Sequence, residues 1–151
     1  MQIIQQYCRL CAGPCAETFG LTILRKHSVR YCRCESCGCL QTEDPTWLDE
    51  AYQSSLSRLD TGAAQRNLRN LATCYFLARL FGFVNVVDIG GGDGLLCRLL
   101  RDYGLNCFVQ DKYAPPSYAQ GFTEPDFASP DLTLAFEVLE HLANPAKALE
   151  D

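Results

Sequence analysis

The sequence predicts an α/β protein: a partial, open parallel sheet preceded by a small metal-binding module. Three observations predict it. Seven of the ten cysteines fall within the first 39 residues, some in paired spacing. The β-branched run Phe83–Ile89 passes through Gly90-Gly-Gly-Asp-Gly94 into an amphipathic run and a second strand-like run, the order of a βαβ unit. A third apolar run, Asp131–Phe136, follows a stretch punctuated by proline. These set expected bounds of 1–44 for the metal module, 45–81 for a helical linker and packing helix, and 82–151 for the first part of the sheet domain.

Composition excludes several classes. Of 151 residues, 48% are hydrophobic and 21% charged, so wholesale disorder is ruled out. No run approaches the roughly 18 apolar residues of a membrane-spanning helix. The opening residues lack the basic flank and apolar core of a secretory signal, so a cytoplasmic chain is expected. Net charge is −5, yet residues 1–40 hold five basic residues (Arg9, Arg25, Lys26, Arg30 and Arg33) against Glu17 and Glu35. The acidic remainder argues against phosphate-backbone binding as the main function.

Cys8-Arg-Leu-Cys11 and Cys34-Glu-Ser-Cys37 are C-x-x-C pairs separated by 22 residues. Two intervening residues let both thiolates of a tight turn face one ion, and two such turns complete the tetrahedral set of a structural zinc. In a reducing compartment clustered cysteines point to metal before disulfides. Gly38 suits the positive φ such knuckles use, and Val29 and Tyr31 resemble the strand of a zinc ribbon. Cys15, Cys32, Cys39 and His27 leave the choice of four ligands open. Free thiols and a redox pair are the alternatives, and the βαβ setting of the latter is missing here. A module of about 40 residues buries too little apolar surface to fold unaided, so bound metal would supply its stability.

Further along, Pro45–Gln53 reads as a short helix with proline near its first turn. Leu68, Leu71, Cys74, Tyr75, Leu77, Ala78 and Phe81 recur at three- and four-residue spacing, predicting a packing helix over Ala63–Leu80 that Gly82 ends. Phe83–Ile89 is apolar on both faces, like an inner strand of a parallel sheet. Leu95–Tyr103 reads as a helix closed by Gly104, and Leu105–Gln110 as a strand ending at Asp111. Cys74, Cys97 and Cys107 read as small buried hydrophobes. Proline-rich loop follows, with room for a short strand near Tyr118–Phe122. Asp131–Phe136 is a strand and Glu137–Leu142 a helical turn or loop. Asn144 then caps a helix with Pro145 at its first position. A parallel sheet stopping there has exposed edges, so the sequence reads as truncated after its fourth strand.

Asp88-Ile-Gly-Gly-Gly-Asp-Gly94 stands at the carboxyl end of the first sheet strand, where open α/β folds bind ligands. A dinucleotide turn wants G-x-G-x-x-G, but counting from Gly90 and Gly92 puts Leu95 third, and Asp93 would meet the pyrophosphate. S-adenosylmethionine carries a sulfonium and an ammonium without phosphate, which acids around a glycine turn suit. Asp111, 23 residues after Asp88, is placed to accept bonds from both ribose hydroxyls, a role shared with nicotinamide sites. Alone it would read as a strand-end turn residue.

Val86-Val-Asp-Ile-Gly-Gly-Gly-Asp-Gly94 resembles motif I of class I S-adenosylmethionine-dependent methyltransferases. Asp131-Leu-Thr-Leu-Ala-Phe-Glu-Val-Leu-Glu-His-Leu-Ala-Asn-Pro145 resembles the strand-four segment of the same superfamily. The head, with its cysteine pairs followed by Leu40-Gln-Thr-Glu-Asp-Pro-Thr-Trp-Leu-Asp-Glu-Ala-Tyr52, resembles the zinc-binding N-terminal domain carried by a subset. Some of that subset act on sugars, including carbon methylation of nucleotide-linked deoxysugars. The resemblance implies a Rossmann-like sheet in which Asp88, Gly90, Gly92 and Gly94 line the methionine end of the cofactor and Asp111 holds the ribose. Lys112 and Tyr113 would lie near the adenine, and Phe136 and Glu137 would border the transfer site. His141 and Glu137 are then the catalytic candidates, with His141 equally readable as a histidine that orders its turn. The acidic motif that follows strand three in that superfamily is not recognisable around Gly121-Phe122, and strands five to seven are absent.

The leading expectation is methyl transfer from S-adenosylmethionine to a small-molecule acceptor such as a sugar or nucleotide sugar, with structural zinc at Cys8, Cys11, Cys34 and Cys37. A catalytically inactive module binding zinc and S-adenosylmethionine is the alternative. A zinc-ribbon nucleic-acid binder is disfavoured by the lack of interleaved aromatic and basic residues. No membrane partner is expected, and nothing in the sequence specifies an oligomeric state.

Overall fold

A computed structural model describes residues 6–51, 61–142 and 144–148. The chain divides into two compact units, 1–51 with 139–151, and 52–138.

The first unit is built on a four-stranded antiparallel sheet, β1 (Gln6–Tyr7), β2 (Pro14–Ile23), β3 (His27–Cys34) and β4 (Leu40–Thr42), in that order. Nearly every side chain of β2 faces solvent, so no alternation marks it in the sequence. Pairing with β3 makes it a strand, from Cys15 opposite Cys34 to Ile23 opposite His27, with a bulge between Glu17 and Phe19. Phe19 stacks on Tyr31 at 4.7 Å. At the hairpin tip, Lys26 N–H donates to Ile23 O at 3.1 Å, and Leu24 and Arg25 hold φ of 49° and 61°. Val29, Cys8, Cys32 and Cys34 are the buried hydrophobes among the described residues of this sheet and its turns. The buried Gln41 amide is satisfied, accepting from Arg9 N–H and donating to Tyr7 O, both at 2.9 Å. So small an interior agrees with a module whose folding needs more than apolar burial.

Helix α1 (Leu48–Ala51) opens with Ala51 N–H donating to Trp47 O, so Pro45 lies ahead of the helix and not in its first turn. Tyr52 and Gln53 of the predicted helix lie outside the described residues. Glu50 accepts from Lys26 Nζ at 2.7 Å and pairs with His27 Nε2 at 3.0 Å, tying α1 to β3. A 3-10 turn, Leu139–His141, precedes the last helix, Pro145–Ala148. Asn144 Oδ1 accepts from Lys147 N–H at 3.0 Å, the predicted cap. The expected continuation over 149–151 lies outside the described residues.

The second unit holds α2 (Ala63–Phe81), β5 (Asn85–Ile89), α3 (Leu95–Asp102), β6 (Asn106–Gln110) and β7 (Leu132–Leu134). The strands form a parallel sheet in the order β6-β5-β7, a mixed α/β arrangement. Gly82, at φ 73°, ends α2 and donates to Ala78 O. The predicted apolar stripe narrows to Leu71, Cys74 and Ala78, which pack with Leu96, Leu100, Val86 and Val109, while Leu68 and Phe81 stay exposed. Cys74, Cys97 and Cys107 are buried in this core.

Strand bounds shift for an identifiable reason. Asp131 is a clamp ahead of β7: its Oδ2 accepts from Val84 and Asn85 N–H at 2.9 and 2.8 Å, and its own N–H donates to Asn85 O at 2.8 Å. Those amides hold its carboxyl below the ordinary value. Residues 118–122 do not form the short strand. Tight turns bring Ala119 N–H to Pro116 O and Phe122 N–H to Ala119 O, and one bond from Val109 N–H to Phe122 O ties the segment to β6. No helix among the described residues is long and apolar enough to cross a membrane.

Candidate functional site

Two places concentrate chemistry. In the head, the two C-x-x-C turns bring the sulfurs of Cys8, Cys11, Cys34 and Cys37 within 4.8 Å of one another. Cys8 Sγ lies 3.6 Å from Cys37 Sγ, and Cys11 Sγ 3.5 Å from Cys34 Sγ. Four sulfurs at about 2.3 Å from one zinc stand roughly 3.8 Å apart, so the cluster has the dimensions of that ligand set. Each turn aims an amide at a sulfur, Leu10 N–H at Cys8 and Cys37 N–H at Cys34, both at 3.4 Å. The Cys37 amide is the main cause lowering the Cys34 thiol to about 6, the thiolate form a metal requires. Burial raises Cys8, but the Cys11 and Leu10 amides bring it below its ordinary value. Despite the Gly13 amide, the Cys37 and Cys34 sulfurs push Cys11 up to about 12. Gly38, at φ 76°, turns the second knuckle.

The cysteines left open by spacing lie elsewhere. Cys32 Sγ–H donates to Gln6 Oε1 at 2.9 Å, Cys39 faces Leu40 O, and His27 belongs to Glu50. Burial and the sulfurs of Cys34 and Cys8 push the Cys15 thiol up to about 11.

In the sheet unit, the bend 90–94 links β5 to α3. Its glycines answer to different neighbours. A side chain at Gly90 would overlap Val138, one at Gly91 would overlap Asp88 Oδ2 and Val109, and one at Gly94 would overlap Ala119. Packing alone therefore explains three of them. Gly92, at φ 55°, faces open space on its Cβ side, and its N–H donates to Asp111 Oδ2 at 2.9 Å. Gly91 is the position the motif reading passed over; its need for glycine comes from two residues on neighbouring strands.

Asp88 is buried beneath this bend, and its Oδ2 has no hydrogen-bond partner among the described residues. Burial, and next the charge of Asp111, push its carboxyl up to about 7. Asp111 Oδ1 also accepts from Tyr113 and Ala114 N–H, both at 2.8 Å. Three of its roughly four acceptor sites are thus filled by amides, leaving one for a ligand hydroxyl where the sequence reading assigns it two.

Beside the bend, at the carboxyl ends of β5 and β6, a cavity of about 460 Å³ is lined by Ile89, Asp111, Lys112, Pro116, Thr123 and Glu124. Thr123 and Glu124 escaped the sequence reading, because only the turns at 116–122 carry that loop back to the strand tip. Tyr113 is exposed under Lys112 Nζ, 5.1 Å from its ring centre. After β7, Phe136 and Glu137 are exposed, and Glu137 holds φ 56°, the turn that delivers Val138 to Gly90. His141 belongs to the other unit, in the 3-10 turn, with Nε2 4.0 Å from Glu140.

The structure thus brings Asp88, Asp111, the bend and the Phe136–Val138 turn together. Two carboxylates, the buried Asp88 and the half-buried Asp111, flank the bend, and Asp111 holds its Gly92 amide. A family model described as a methyltransferase domain matches residues 48–151, more than half of the chain. None of the curated proteins matches. The chain belongs to the methyltransferase-domain family.

Proposed function

We propose that the chain is an S-adenosylmethionine-dependent methyltransferase domain acting on a small-molecule acceptor, a sugar or nucleotide sugar, and headed by a structural zinc module. The observation that carries it is the Gly92–Asp111 bond beside the buried Asp88, whose Oδ2 has no partner among the described residues, with an open cavity next to it. An acid left without a donor is costly to bury, and a nearby cation offsets that cost.

In this reading Asp88, Gly90, Gly92 and Gly94 hold the methionine end, Asp111 accepts one ribose hydroxyl, and Lys112, Tyr113 and Phe136 flank the rest. Glu124 adds a carboxylate in the cavity for the amino edge of the base. The bound cofactor supplies an electrophilic methyl on a sulfonium. The chain orients the acceptor in line with it and, where the acceptor must lose a proton, Glu137 receives it. Cys8, Cys11, Cys34 and Cys37 hold the zinc, whose filled coordination leaves it a structural role. The head spans 1–44, the linker 45–81 and the donor-binding segment begins at 82, and the chain works in the cytoplasm, where cysteines persist without disulfides.

A second reading, a module that binds the donor and transfers nothing, draws on the exposure of Phe136 and Glu137, since methyl transfer needs the reacting atoms shielded from water. Calorimetry with S-adenosylmethionine, S-adenosylhomocysteine and NAD tests the donor assignment: binding of the first two and not NAD upholds it, and binding of NAD alone ends it. Turnover of a nucleotide sugar separates enzyme from module, and no oligonucleotide binding is expected.

A further inference from the structure

Cys15 is the sequence's unexplained neighbour of the sulfur cluster. It is paired in register with Cys34 across β2 and β3. Glu35 N–H donates to Pro14 O at 3.0 Å, and Cys34 N–H turns the other way, to Cys39 O at 2.8 Å. Cys15 and Cys34 are therefore a non-hydrogen-bonded antiparallel pair. In such pairs the Cα atoms stand about 4.5 Å apart with both side chains on one face. That separation lies within the range of disulfides, roughly 4.4–6.8 Å. Cys39 flanks Cys34 on its other side in a hydrogen-bonded position, where side chains stand farther apart. Cys15 is half-exposed and lies outside the four-sulfur set.

We propose that Cys15 and Cys34 are a redox-active pair, which a hydroperoxide converts to a disulfide, so that the metal cluster loses one of its four ligands. The release half rests on the metal reading above; the disulfide half stands on strand register alone. The Cys34 thiolate attacks hydrogen peroxide: the O–O bond breaks, an S–O bond forms as sulfenic acid, and hydroxide leaves. The Cys15 thiol then attacks that sulfur: the S–S bond forms, the S–O bond breaks, and the hydroxyl leaves with the Cys15 proton as water. Two sulfurs are oxidised by the two electrons that the peroxide takes up. A metal left with three thiolates is held less tightly and exchanges to a competing chelator.

The full chain, loaded with zinc, is titrated with hydrogen peroxide beside a chromogenic chelator, and its disulfides are mapped by mass spectrometry. The expected result is a Cys15–Cys34 crosslink appearing in step with zinc release. Cys15→Ser should keep its zinc at a peroxide dose that empties the parent, while Cys39→Ser behaves like the parent. A Cys15→Ser chain that loses zinc as readily as the parent, or a crosslink of Cys34 to Cys11 or Cys37 in place of Cys15, overturns the proposal. A chain that takes up no zinc yet forms the Cys15–Cys34 crosslink upholds the pair while ending the metal reading.

Discussion

Asp111 Oδ2 and the Gly92 N–H, 19 residues apart in sequence, meet at 2.9 Å, so the tip of β6 is fastened to the bend after β5. Two further amides, Tyr113 and Ala114, close on Oδ1. The carboxylate therefore shapes the loop before any ligand arrives. Asp111→Asn replaces one acceptor with a donor and leaves an amide unpaired, costing about 1–3 kcal/mol. Urea unfolding reads that loss, and calorimetry should show weaker S-adenosylmethionine binding under conditions where the variant is fully folded.

The glycines of the bend should separate by substitution. Gly92→Ala meets only the left-handed backbone penalty, about 1–2 kcal/mol. Gly90→Ala meets a comparable penalty plus the overlap with Val138, a further ~1–3 kcal/mol. Thermal unfolding should therefore rank Gly90→Ala well below Gly92→Ala. Donor binding by the still-folded Gly92→Ala should nonetheless fall, because its methyl projects into the open side of the bend.

Asp88 sets a pH dependence. Its carboxyl titrates at about 7 in the folded chain against an ordinary 3.8. Between those values the folded chain holds a proton that the unfolded chain has shed, so stability is greatest near pH 4 and declines until about pH 7. The full loss is on the order of 4 kcal/mol. Urea midpoints measured from pH 4 to pH 7 should fall more steeply for the parent than for Asp88→Asn. A cation seated at the bend favours the carboxylate, so donor binding near neutral pH should release protons. Calorimetry in buffers of unlike ionisation heat detects that release.

Cys8→Ser leaves the cluster with three sulfurs. Metal content after purification should drop, and amide protection at Val29 and Gln41 should be lost while Val86 and Val109 keep theirs. A chelator added to the parent should reproduce that pattern.

Long-period signals were the legible ones. The three- and four-residue spacing around Leu71, Cys74 and Ala78, and the Asn144–Pro145 start, predict helices where helices occur. The two C-x-x-C pairs point to the four sulfurs that meet. What stayed hidden depends on partners far along the chain: β2 has no apolar face of its own, and Asp131 owes its role to amides 46 and 47 residues upstream. Gly91 is explained by Asp88 and Val109, and Glu124 by turns that return a loop to a strand tip. No local pattern encodes such meetings.

The hairpin tip offers a handle. Leu24 and Arg25 occupy a backbone shape that Asn-Gly adopts without penalty, and ordinary side chains there cost about 1–2 kcal/mol each. Grafting Leu24→Asn with Arg25→Gly should relieve that burden without touching a sulfur. The head would then gain a second source of cohesion, and its scaffold could be studied apart from whatever ion it carries.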